Sequence, residues 1–419
     1  MQQTTLDTLE SRDPHEREAA LMAALPGLVA RAQRAPGWAR ILAGVEPGAI
    51  DHRAALAQLP VTRKSELHAL QQAAPPFGGL AVAAPGQLRR VFMSPGPIFD
   101  PEGAGPDYWR FARPMYAAGI RAGMLVQNCF AYHFTPAAAM VEGGAARIGA
   151  AVIPAGAGQT ELQLQALTAL RPAAYVGTPS FLRIIVEKAL EQGQDISSLE
   201  RAVVGAEALP ESLRAWLRAH GVPHVFQTYA SADCGSIAYE TAHEGQILPG
   251  MVLDEDVLLE IVRPGSGEPV APGDIGEVVV SVFNPDYPLL RFATGDMSAL
   301  LPAAPSPCGR SNQRIRGWLG RADQTTKVRA MFVHPAQVAN VVRRHPQILK
   351  ARLVVSGQMA NDVMTLHCEV ADPAAEAALV PAVVETVREI TKLRAEVVLA
   401  ARGSLPSDGK VIEDARDYT

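Results

Sequence analysis

Four polar segments interrupt an otherwise apolar sequence, and they contain residue types that could bind an anionic ligand. A charged turn covers Gly320–Arg329, and the segment Arg291–Asp296 ends a strand-like run. Tyr229–Asp233 ends another such run, and Lys410 lies in a polar tail. A carboxylate can accept hydrogen bonds from hydroxyl groups or bind a hard cation, and an ammonium can stabilise charge on two oxygens. Each segment also has a plain structural interpretation, as a turn or a solvated surface.

Composition favours an ordinary globular enzyme with one large and one smaller domain. The chain has 419 residues, of which 48% are hydrophobic and 19% are charged, as is usual for a globular protein of this size. The net charge is −5 and there is no dense run of Lys and Arg, which argues against nucleic-acid binding. An acidic substrate would therefore need cations placed locally around it.

The sequence also predicts a cytoplasmic protein without a membrane span. Residues 1–17 are polar and charged, unlike the apolar core of a signal peptide. No run approaches the ~20 apolar residues that cross a bilayer. The four cysteines are far apart and form no CxxC pair, which predicts reduced thiols rather than a zinc knuckle or a redox dithiol. They are Cys129, Cys234, Cys308 and Cys368.

The middle of the chain alternates between strand-like and helix-like runs. The predicted strands are 149–153, 173–177 and 201–205, and the predicted helices that follow them are 159–170, 180–192 and 210–220. Strands joined through helices predict a parallel sheet. Ligands on such sheets lie beyond the carboxyl ends of the strands, where Thr178-Pro179-Ser180 and Gly205-Ala206-Glu207 fall.

The flanking regions have different patterns. Residues 6–45 have apolar positions at helical spacing, whereas 257–262 and 276–282 predict antiparallel strands separated by Gly/Pro turns. The tail from Pro335 predicts the order α-β-β-α-β, with helices at 335–345 and 374–390 and strands at 351–356, 363–369 and 394–400. Together the patterns predict an α/β protein, with mixed and parallel sheets flanked by helices, a β-subdomain and a small α+β C-terminal domain.

The order and spacing of the polar segments resemble the adenylate-forming (AMP-binding) superfamily, in the version found in phenylacetate-CoA ligases and their relatives. The similarity runs from about residue 20 to the C-terminus, and it includes an ending, Gly403–Lys410, like the closing motif of that family. It implies a large N-terminal AMP-binding domain (1–319), a hinge (320–324) with Asp323 as the pivot, and a small mobile C-terminal domain (325–419).

The same resemblance assigns ligands to the polar segments. Tyr229 would stack on adenine, and Asp233 would hold Mg²⁺ through its oxygens. Asp296 would accept hydrogen bonds from the ribose hydroxyls, and Lys410 would bridge the substrate carboxylate and the α-phosphate. The other implied nucleotide contacts are Gly205, Ala206, Glu207, Ala230 and Ser231 near the adenine, Arg321 at the ribose or phosphate, and Ser94 and Gly96 in the phosphate loop.

The function implied by the resemblance is ATP-dependent activation of an aromatic carboxylate, aryl or arylacetic, to an acyl-adenylate, followed by transfer to CoA. The implied acyl pocket consists of Tyr132, His133, Phe134, Thr178 and Pro179. Aromatic walls suit an aromatic ring. The expected ligands are therefore an aromatic acid, ATP or AMP, Mg²⁺ and CoA, and a homodimer is left open as the assembly.

The phosphate loop departs from the family pattern. The family has a Ser/Thr/Gly-rich loop ending in Gly-Lys-Pro, whose backbone N–H groups and lysine hold phosphates. The matching segment, Ser94–Pro101, places Asp100 at the lysine position, where its charge is expected to repel a triphosphate. Pro95 and Pro97 remove N–H donors. We therefore expect weak binding of the β- and γ-phosphates, whereas AMP or an acyl-adenylate needs this loop less.

These departures leave two alternative functions open. Ala330 stands where the family typically has a glycine that lines the pantetheine tunnel, which favours transfer of the acyl group to an acceptor other than CoA. The altered loop at 94–101 favours a catalytically impaired homologue that binds a nucleotide or an acyl-adenylate. A cysteine-and-histidine metal site known in some relatives is not expected, because only Cys308 and His243 stand near the corresponding places.

Overall fold

The computed structural model describes residues 4–94, 97–322, 324–329, 331–357, 362–374, 376–406 and 410–416. The chain divides into two compact units, Met1–Leu319 and Gly320–Thr419. The boundary lies at the start of the charged turn. The hinge role of residues 320–324 stays a prediction, and Asp323 lies outside the described residues, as do Gly96, Pro95 and Ala330.

The first unit contains both helices and strands throughout its length. Its helices are α1 (Pro14–Ala32), α2 (Pro36–Ile41), α3 (Arg53–Leu56), α4 (Leu67–Ala73), α5 (Ala112–Ala117), α6 (Ala137–Ile148), α7 (Thr160–Leu170), α8 (Pro179–Glu191) and α9 (Glu211–Ala219). Its strands are β1 (Thr62–Arg63), β2 (Arg90–Ser94), β3 (Ile98–Glu102), β4 (Leu125–Asn128), β5 (Ala151–Ile153), β6 (Ala174–Gly177), β7 (Arg201–Val204), β8 (His224–Ser231), β9 (Gly235–Tyr239), β10 (Ala242–His243), β11 (Gln246–Ile247), β12 (Met251–Leu253), β13 (Val257–Val262), β14 (Gly276–Val282), β15 (Leu289–Ser298) and β16 (Arg314–Ile315).

An eight-stranded sheet forms the centre of this unit, in the order β16-β12-β9-β8-β7-β6-β4-β5. The five strands β4 to β8 run parallel, and helices α6 to α9 connect them in chain order. Strands β9, β12 and β16 continue the sheet with antiparallel pairs. The parallel arrangement predicted from the alternating pattern is confirmed. All five parallel strands end at one edge, so the loops that follow them lie there.

A second, four-stranded sheet has the order β1-β15-β14-β13. The predicted strands 257–262 and 276–282 are present with those bounds and pair antiparallel along their length. Every residue of both strands is buried, because helices α1 and α2 contribute to the same apolar core. Trp38 of α2 is fully buried there, and its indole N–H donates to the Pro288 carbonyl at 3.0 Å.

The predicted helical region 6–45 is broken into separate elements. Helix α1 begins after Asp13, whose carboxylate accepts from the N–H groups of His15 and Glu16, an arrangement typical of an N-cap. The break comes at Ala35, because Pro36 follows it and disfavours a helical conformation in the residue before it. Ala35 is accordingly extended, with ψ of 132°.

Ion pairs and a hydrogen bond connect the N-terminal segment to residues in the later part of the first unit. The buried Glu10 carboxylate accepts from the Arg310 guanidinium and from the Tyr239 hydroxyl, the latter at 3.0 Å. Arg17 Nε donates to Glu255 Oε2 at 2.8 Å, and both side chains are almost fully buried. Residues 4–17 therefore depend for their position on residues more than 200 positions later in the chain.

The second unit is a small α+β structure. Its strands are β17 (Thr326–Val328), β18 (Met331–Val333), β19 (Lys350–Ser356), β20 (Val363–Val370), β21 (Glu396–Ala401) and β22 (Ile412–Asp414), and its helices are α10 (Pro335–Arg344) and α11 (Val380–Thr391). The sheet order is β21-β20-β19-β22. Both helices bury valines against this sheet. Strand β22, which the sequence pattern does not indicate, runs parallel to β19.

One local prediction is wrong in detail. The helix predicted for 374–390 begins at Val380, and a short 3₁₀ turn occupies Ala377–Leu379. The sequence pattern does not indicate strands β2 and β3, which pair antiparallel in the segment that carries Ser94 and Asp100. Within the described ranges, no helix has both the length and the apolar character that crossing a bilayer requires. The four cysteines are buried and unbridged.

Candidate active site

Asp296, near the end of β15, is held by donors on both of its oxygens. The Tyr229 hydroxyl donates to Oδ2 at 2.9 Å, and the Trp318 indole N–H donates to Oδ1 at 3.1 Å. The Thr294 hydroxyl oxygen lies 3.2 Å from the Tyr229 hydroxyl and accepts from the Asp296 N–H at 3.1 Å. These contacts orient the carboxylate, and a carboxylate is the acceptor that suits a ligand with hydroxyl groups.

Tyr229 is thereby placed at the junction of the two sheets, since it belongs to β8 and bonds to β15. Burial raises the pKa of Tyr229 well above its usual value, and the negative charge of Asp296 raises it further. The phenol therefore stays protonated and donates to Asp296. Ala230 and Ser231 follow it in β8 and are half-buried. Ser231 uses its hydroxyl oxygen locally, accepting from the Cys234 N–H at 3.1 Å.

The loops after β6 and β7 meet at the carboxyl edge of the parallel strands. Thr178 caps helix α8 by accepting from the Phe181 N–H at 3.3 Å, with Pro179 in the first turn. Ser180 then donates to Glu207 Oε2 at 2.6 Å. That hydrogen bond joins the predicted acyl-pocket segment to the predicted adenine segment.

The turn Gly205-Ala206-Glu207 has a tightly specified backbone. Ala206 has a φ of 64°, in the left-handed region that residues with a side chain rarely adopt. A Cβ at Gly205 would lie 3.1 Å from both Cγ2 and the carbonyl oxygen of Thr228. Such conformations recur at functional sites, where the surrounding structure maintains them.

The predicted acyl-pocket aromatics follow β4 and are largely exposed. The Tyr132 hydroxyl accepts from Asn128 Nδ2 at 2.9 Å, and the Tyr132 side chain is 39% exposed. His133 and Phe134 stand edge to face, and Phe134 is 64% exposed with a left-handed φ of 59°. The Phe134 carbonyl accepts from the Met93 N–H at 2.8 Å, which ties this loop to the β2–β3 hairpin.

Asp233 pairs with a residue that the sequence pattern does not single out. Asp233 is buried between β8 and β9, and its Oδ2 accepts from the ammonium of Lys64, which follows β1. Burial alone would lower the pKa of Lys64, but the charges of Asp233 and Asp100 outweigh burial and raise it. The sequence contains no local signal for this pair, because its members are 169 positions apart.

Asp100 does not project from the phosphate-loop segment as a free charge. It lies in β3, is 1% exposed, and stands near Asp233 and Lys64. Burial is the main cause that raises the pKa of Asp100 to about 8, and repulsion by Asp233 adds to it, whereas Lys64 and hydrogen bonds with the buried Ser94 oppose it. Asp100 is thus a buried carboxyl group in a strand, and the repulsion of a triphosphate by its charge stays a prediction.

Arg291 is the first residue of the Arg-x-x-Thr-Gly-Asp segment, and its side chain stabilises the position of that segment. It is 2% exposed and donates to Glu260 Oε2 at 3.0 Å. Its remaining N–H groups donate at 2.6–2.7 Å to three carbonyl oxygens, those of Ala57, Leu59 and Gly267. This side chain therefore holds β15, and with it Asp296, against the neighbouring segments of the same unit.

Two predicted site residues belong to the second unit. Arg321 is half-buried at its beginning, and Lys410 is exposed close to its end. Lys410 directly precedes Val411, whose N–H donates to Gln324 Oε1 at 2.7 Å. The segment that carries the lysine is therefore hydrogen-bonded to the charged turn itself.

Comparison with known proteins places these residues in a family. The family described as "AMP-binding enzyme" matches residues 115–283. The chain is 32% identical over 390 residues to a phenylacetate-coenzyme A ligase of Thermus thermophilus, which covers 89% of this chain and 85% of that protein. It is 29% identical over 359 residues to the phenylacetate-coenzyme A ligase of Escherichia coli, covering 80% and 78%.

A solved structure gives the same assignment for the fold. The crystal structure of 2-hydroxyisobutyryl-CoA ligase, in complex with 2-HIB-AMP and CoA, superposes with a TM-score of 0.81 at 24% identity, covering 98% of this chain and 92% of that one. The predicted architecture and the predicted resemblance are both confirmed. This chain therefore belongs to the phenylacetate-coenzyme A ligase family of adenylate-forming enzymes.

Proposed function

We propose that this chain is an ATP-dependent acid–thiol ligase, which activates an aromatic carboxylate as an acyl-adenylate and transfers the acyl group to coenzyme A. The observation that carries the proposal is the Asp296 carboxylate, oriented by Tyr229 and Trp318 in a chain of this family. A carboxylate whose direction is fixed by two donors suits hydrogen bonds from the two adjacent hydroxyl groups of a ribose. The substrates are small molecules, and we place the enzyme in the cytoplasm as a monomer or a homodimer.

In the first half-reaction, an oxygen of the substrate carboxylate attacks the α-phosphorus of ATP, and the bond from that phosphorus to pyrophosphate breaks. Asp296 would hold the ribose, and the turn at 205–207 would lie against the adenine. Lys410 would stabilise the charge that develops on the carboxylate and α-phosphate oxygens. In the second half-reaction, the sulfur of the thiol attacks the acyl carbon and AMP leaves. The protein contributes mainly position and electrostatic stabilisation.

Asp233 is the residue proposed to hold Mg²⁺. Its Oδ1 is buried without a hydrogen-bond partner among the described residues, so an oxygen ligand suited to a hard cation is present. Bound Mg²⁺ would neutralise charge on the phosphates. Lys64 lies on the other oxygen of the same carboxylate and would supply a second positive charge beside it.

The exposed aromatic residues after β4 support an aromatic acid as the substrate. Tyr132 and Phe134 present ring surface to solvent, although large apolar side chains usually gain by being buried. Exposed rings near the carboxyl edge of a parallel sheet are suited to stacking on an aromatic ligand. Thr178 and Pro179 would close the opposite side of this pocket.

Pyrophosphate release from Mg·ATP tests the proposal with a panel of acids. Phenylacetate and benzoate derivatives should stimulate release, whereas short aliphatic acids should stimulate it weakly. AMP release should accelerate when CoA is added to the best acid. If an amine or a carrier protein accelerates AMP release and CoA does not, the acceptor is not CoA. If calorimetry shows AMP binding without Mg·ATP binding or turnover, the chain is the impaired homologue that the altered loop suggests.

Replacing Trp318 with phenylalanine should raise the KM for ATP about tenfold, because the loss of one hydrogen bond to a charged group costs ~1.5 kcal/mol. The aromatic ring remains, so kcat should change little. Steady-state pyrophosphate release at varied ATP measures both constants. Trp216→Phe is the matched control, since Trp216 stacks on His220 within the α9 region. An unchanged KM in Trp318→Phe would contradict a positioning role for this indole.

A further inference from the structure

Asp100 stands where the family resemblance described above implies the lysine of the phosphate loop. The side chain is 1% exposed, and its Oδ2 has no hydrogen-bond partner in the part of the chain that the structure describes. A carboxylate oxygen buried without a partner is costly. This position therefore calls for a bound group or a proton.

Asp233 also has a buried carboxylate oxygen that lacks a hydrogen-bond partner among the described residues. It is also 1% exposed, and its Oδ2 bonds to Lys64 while its Oδ1 is buried without a partner among the described residues. Each of the two neighbouring carboxyl groups thus has one buried oxygen with an unused acceptor capacity. The two residues come from separate elements, Asp100 from β3 and Asp233 from the β8–β9 connection.

The charges of the cluster balance only while Asp100 keeps a proton. Once both carboxyl groups are ionised, two carboxylates face a single ammonium, that of Lys64, which interacts electrostatically with both. A buried carboxylate without a compensating charge is strongly destabilising. A divalent cation between the two unpartnered oxygens would supply the missing charge and would use both of them.

We infer that Asp100 and Asp233 together form a divalent-cation site, in which each carboxylate contributes one oxygen and Asp100 is a second protein ligand for the Mg²⁺ of the reaction. This inference rests on the proposed function for the nucleotide that the cation serves. No third His, Cys, Asp or Glu of the described ranges joins the pair. Water and phosphate oxygens would complete the coordination, as is common for Mg²⁺. The aspartate then binds phosphate through the cation instead of repelling it.

Cation binding to the nucleotide-free full-length protein tests this site without any turnover. Mn²⁺ titrations followed by electron paramagnetic resonance should show one bound ion in the wild type, displaceable by Mg²⁺. Asp100→Asn and Asp233→Asn should each weaken Mn²⁺ binding about 10- to 100-fold. Asp51→Asn is the matched control, because it removes a carboxylate that is exposed and paired only with His52, and its Mn²⁺ affinity should equal that of the wild type.

Lys64→Gln changes the same cluster in the opposite direction. Removing the ammonium leaves both carboxylates uncompensated, so Mn²⁺ should bind about tenfold more tightly than in the wild type. A merely structural role for Lys64 would weaken binding instead. This variant keeps the inference testable if Asp100→Asn fails to fold, which circular dichroism would reveal.

The inference is overturned if the nucleotide-free wild type binds no Mn²⁺, if Asp100→Asn binds it as tightly as the wild type, or if Lys64→Gln binds it less tightly. These results are separate from the fate of the proposed function. A protein that binds Mn²⁺ as expected but releases no pyrophosphate with any acid would retain the cation site and lose the ligase assignment. If the wild type releases pyrophosphate in response to an acid but Asp100→Asn binds Mn²⁺ unchanged, the ligase assignment is retained and the cation site is lost.

Discussion

Replacing Lys410 with alanine is expected to slow acid-dependent pyrophosphate release about 100- to 1000-fold, the usual effect of removing one group that stabilises transition-state charge. The ammonium would otherwise face two oxygens that gain or redistribute negative charge during attack on the α-phosphorus. Because that interaction belongs mainly to the transition state, the effect should appear in kcat. Single-turnover release of pyrophosphate at saturating ATP and acid measures it.

Arg388→Ala provides the matched control for this variant. Arg388 is an exposed cation on α11 of the same unit, so its removal changes the charge of the unit equally. We expect that control to retain the wild-type rate. Equal rates for Lys410→Ala and the wild type would remove Lys410 from the mechanism.

Replacing Arg291 with alanine is expected to destabilise the first unit by about 3–5 kcal/mol, the range found when one partner of a buried ion pair is removed. The variant leaves Glu260 and three carbonyl oxygens without their donor. Chemical denaturation followed by tryptophan fluorescence measures the change. All four tryptophans lie in the first unit, so the signal reports on that unit alone; they are Trp38, Trp109, Trp216 and Trp318.

A second substitution separates the ion pair from the other contacts of Arg291. In Arg291→Ala with Glu260→Gln, the buried carboxylate is gone, so part of the lost stability should return. The double-mutant cycle then gives the coupling between the two side chains. A denaturation midpoint in Arg291→Ala equal to that of the wild type would contradict the supporting role assigned to this residue.

The larger elements of the fold were predictable because each is governed by a local pattern. Strands 257–262 and 276–282 consist largely of apolar residues between Gly/Pro turns, and the helices between the parallel strands alternate regularly with them. Such patterns depend on neighbours in sequence. The break at Ala35 could also have been found, since Pro36 directly follows it.

Contacts between distant segments were not predictable in this way. Lys64 lies in a short polar stretch that resembles any helix start, and only folding brings it to Asp233. Trp318 precedes the charged turn as one apolar residue among others, yet its indole N–H orients Asp296. The β2–β3 hairpin was hidden by prolines, which disfavour strands in general but are tolerated at positions that need no N–H donor.

The sequence-derived site therefore divides into two groups. Tyr229, Asp296 and the turn at 205–207 lie in the first unit at or near the junction of its sheets, and the structure adds partners that explain their orientation. The roles of Lys410 and Arg321 stay predictions that depend on the family motif, and Gly96 and Asp323 lie outside the described residues. The KM of Trp318→Phe for ATP tests the first group, and the rate of pyrophosphate release by Lys410→Ala tests the second.

The ion pair between Glu10 and Arg310 has a consequence for biosynthesis. A ribosome must release about three quarters of the polypeptide before the partner of the N-terminal segment emerges, so that segment waits unpaired throughout most of translation. Loop closure over such a distance is slow compared with local helix formation. Nascent chains of this protein should accordingly remain open to chaperones and proteases until the distal arginine has left the exit tunnel.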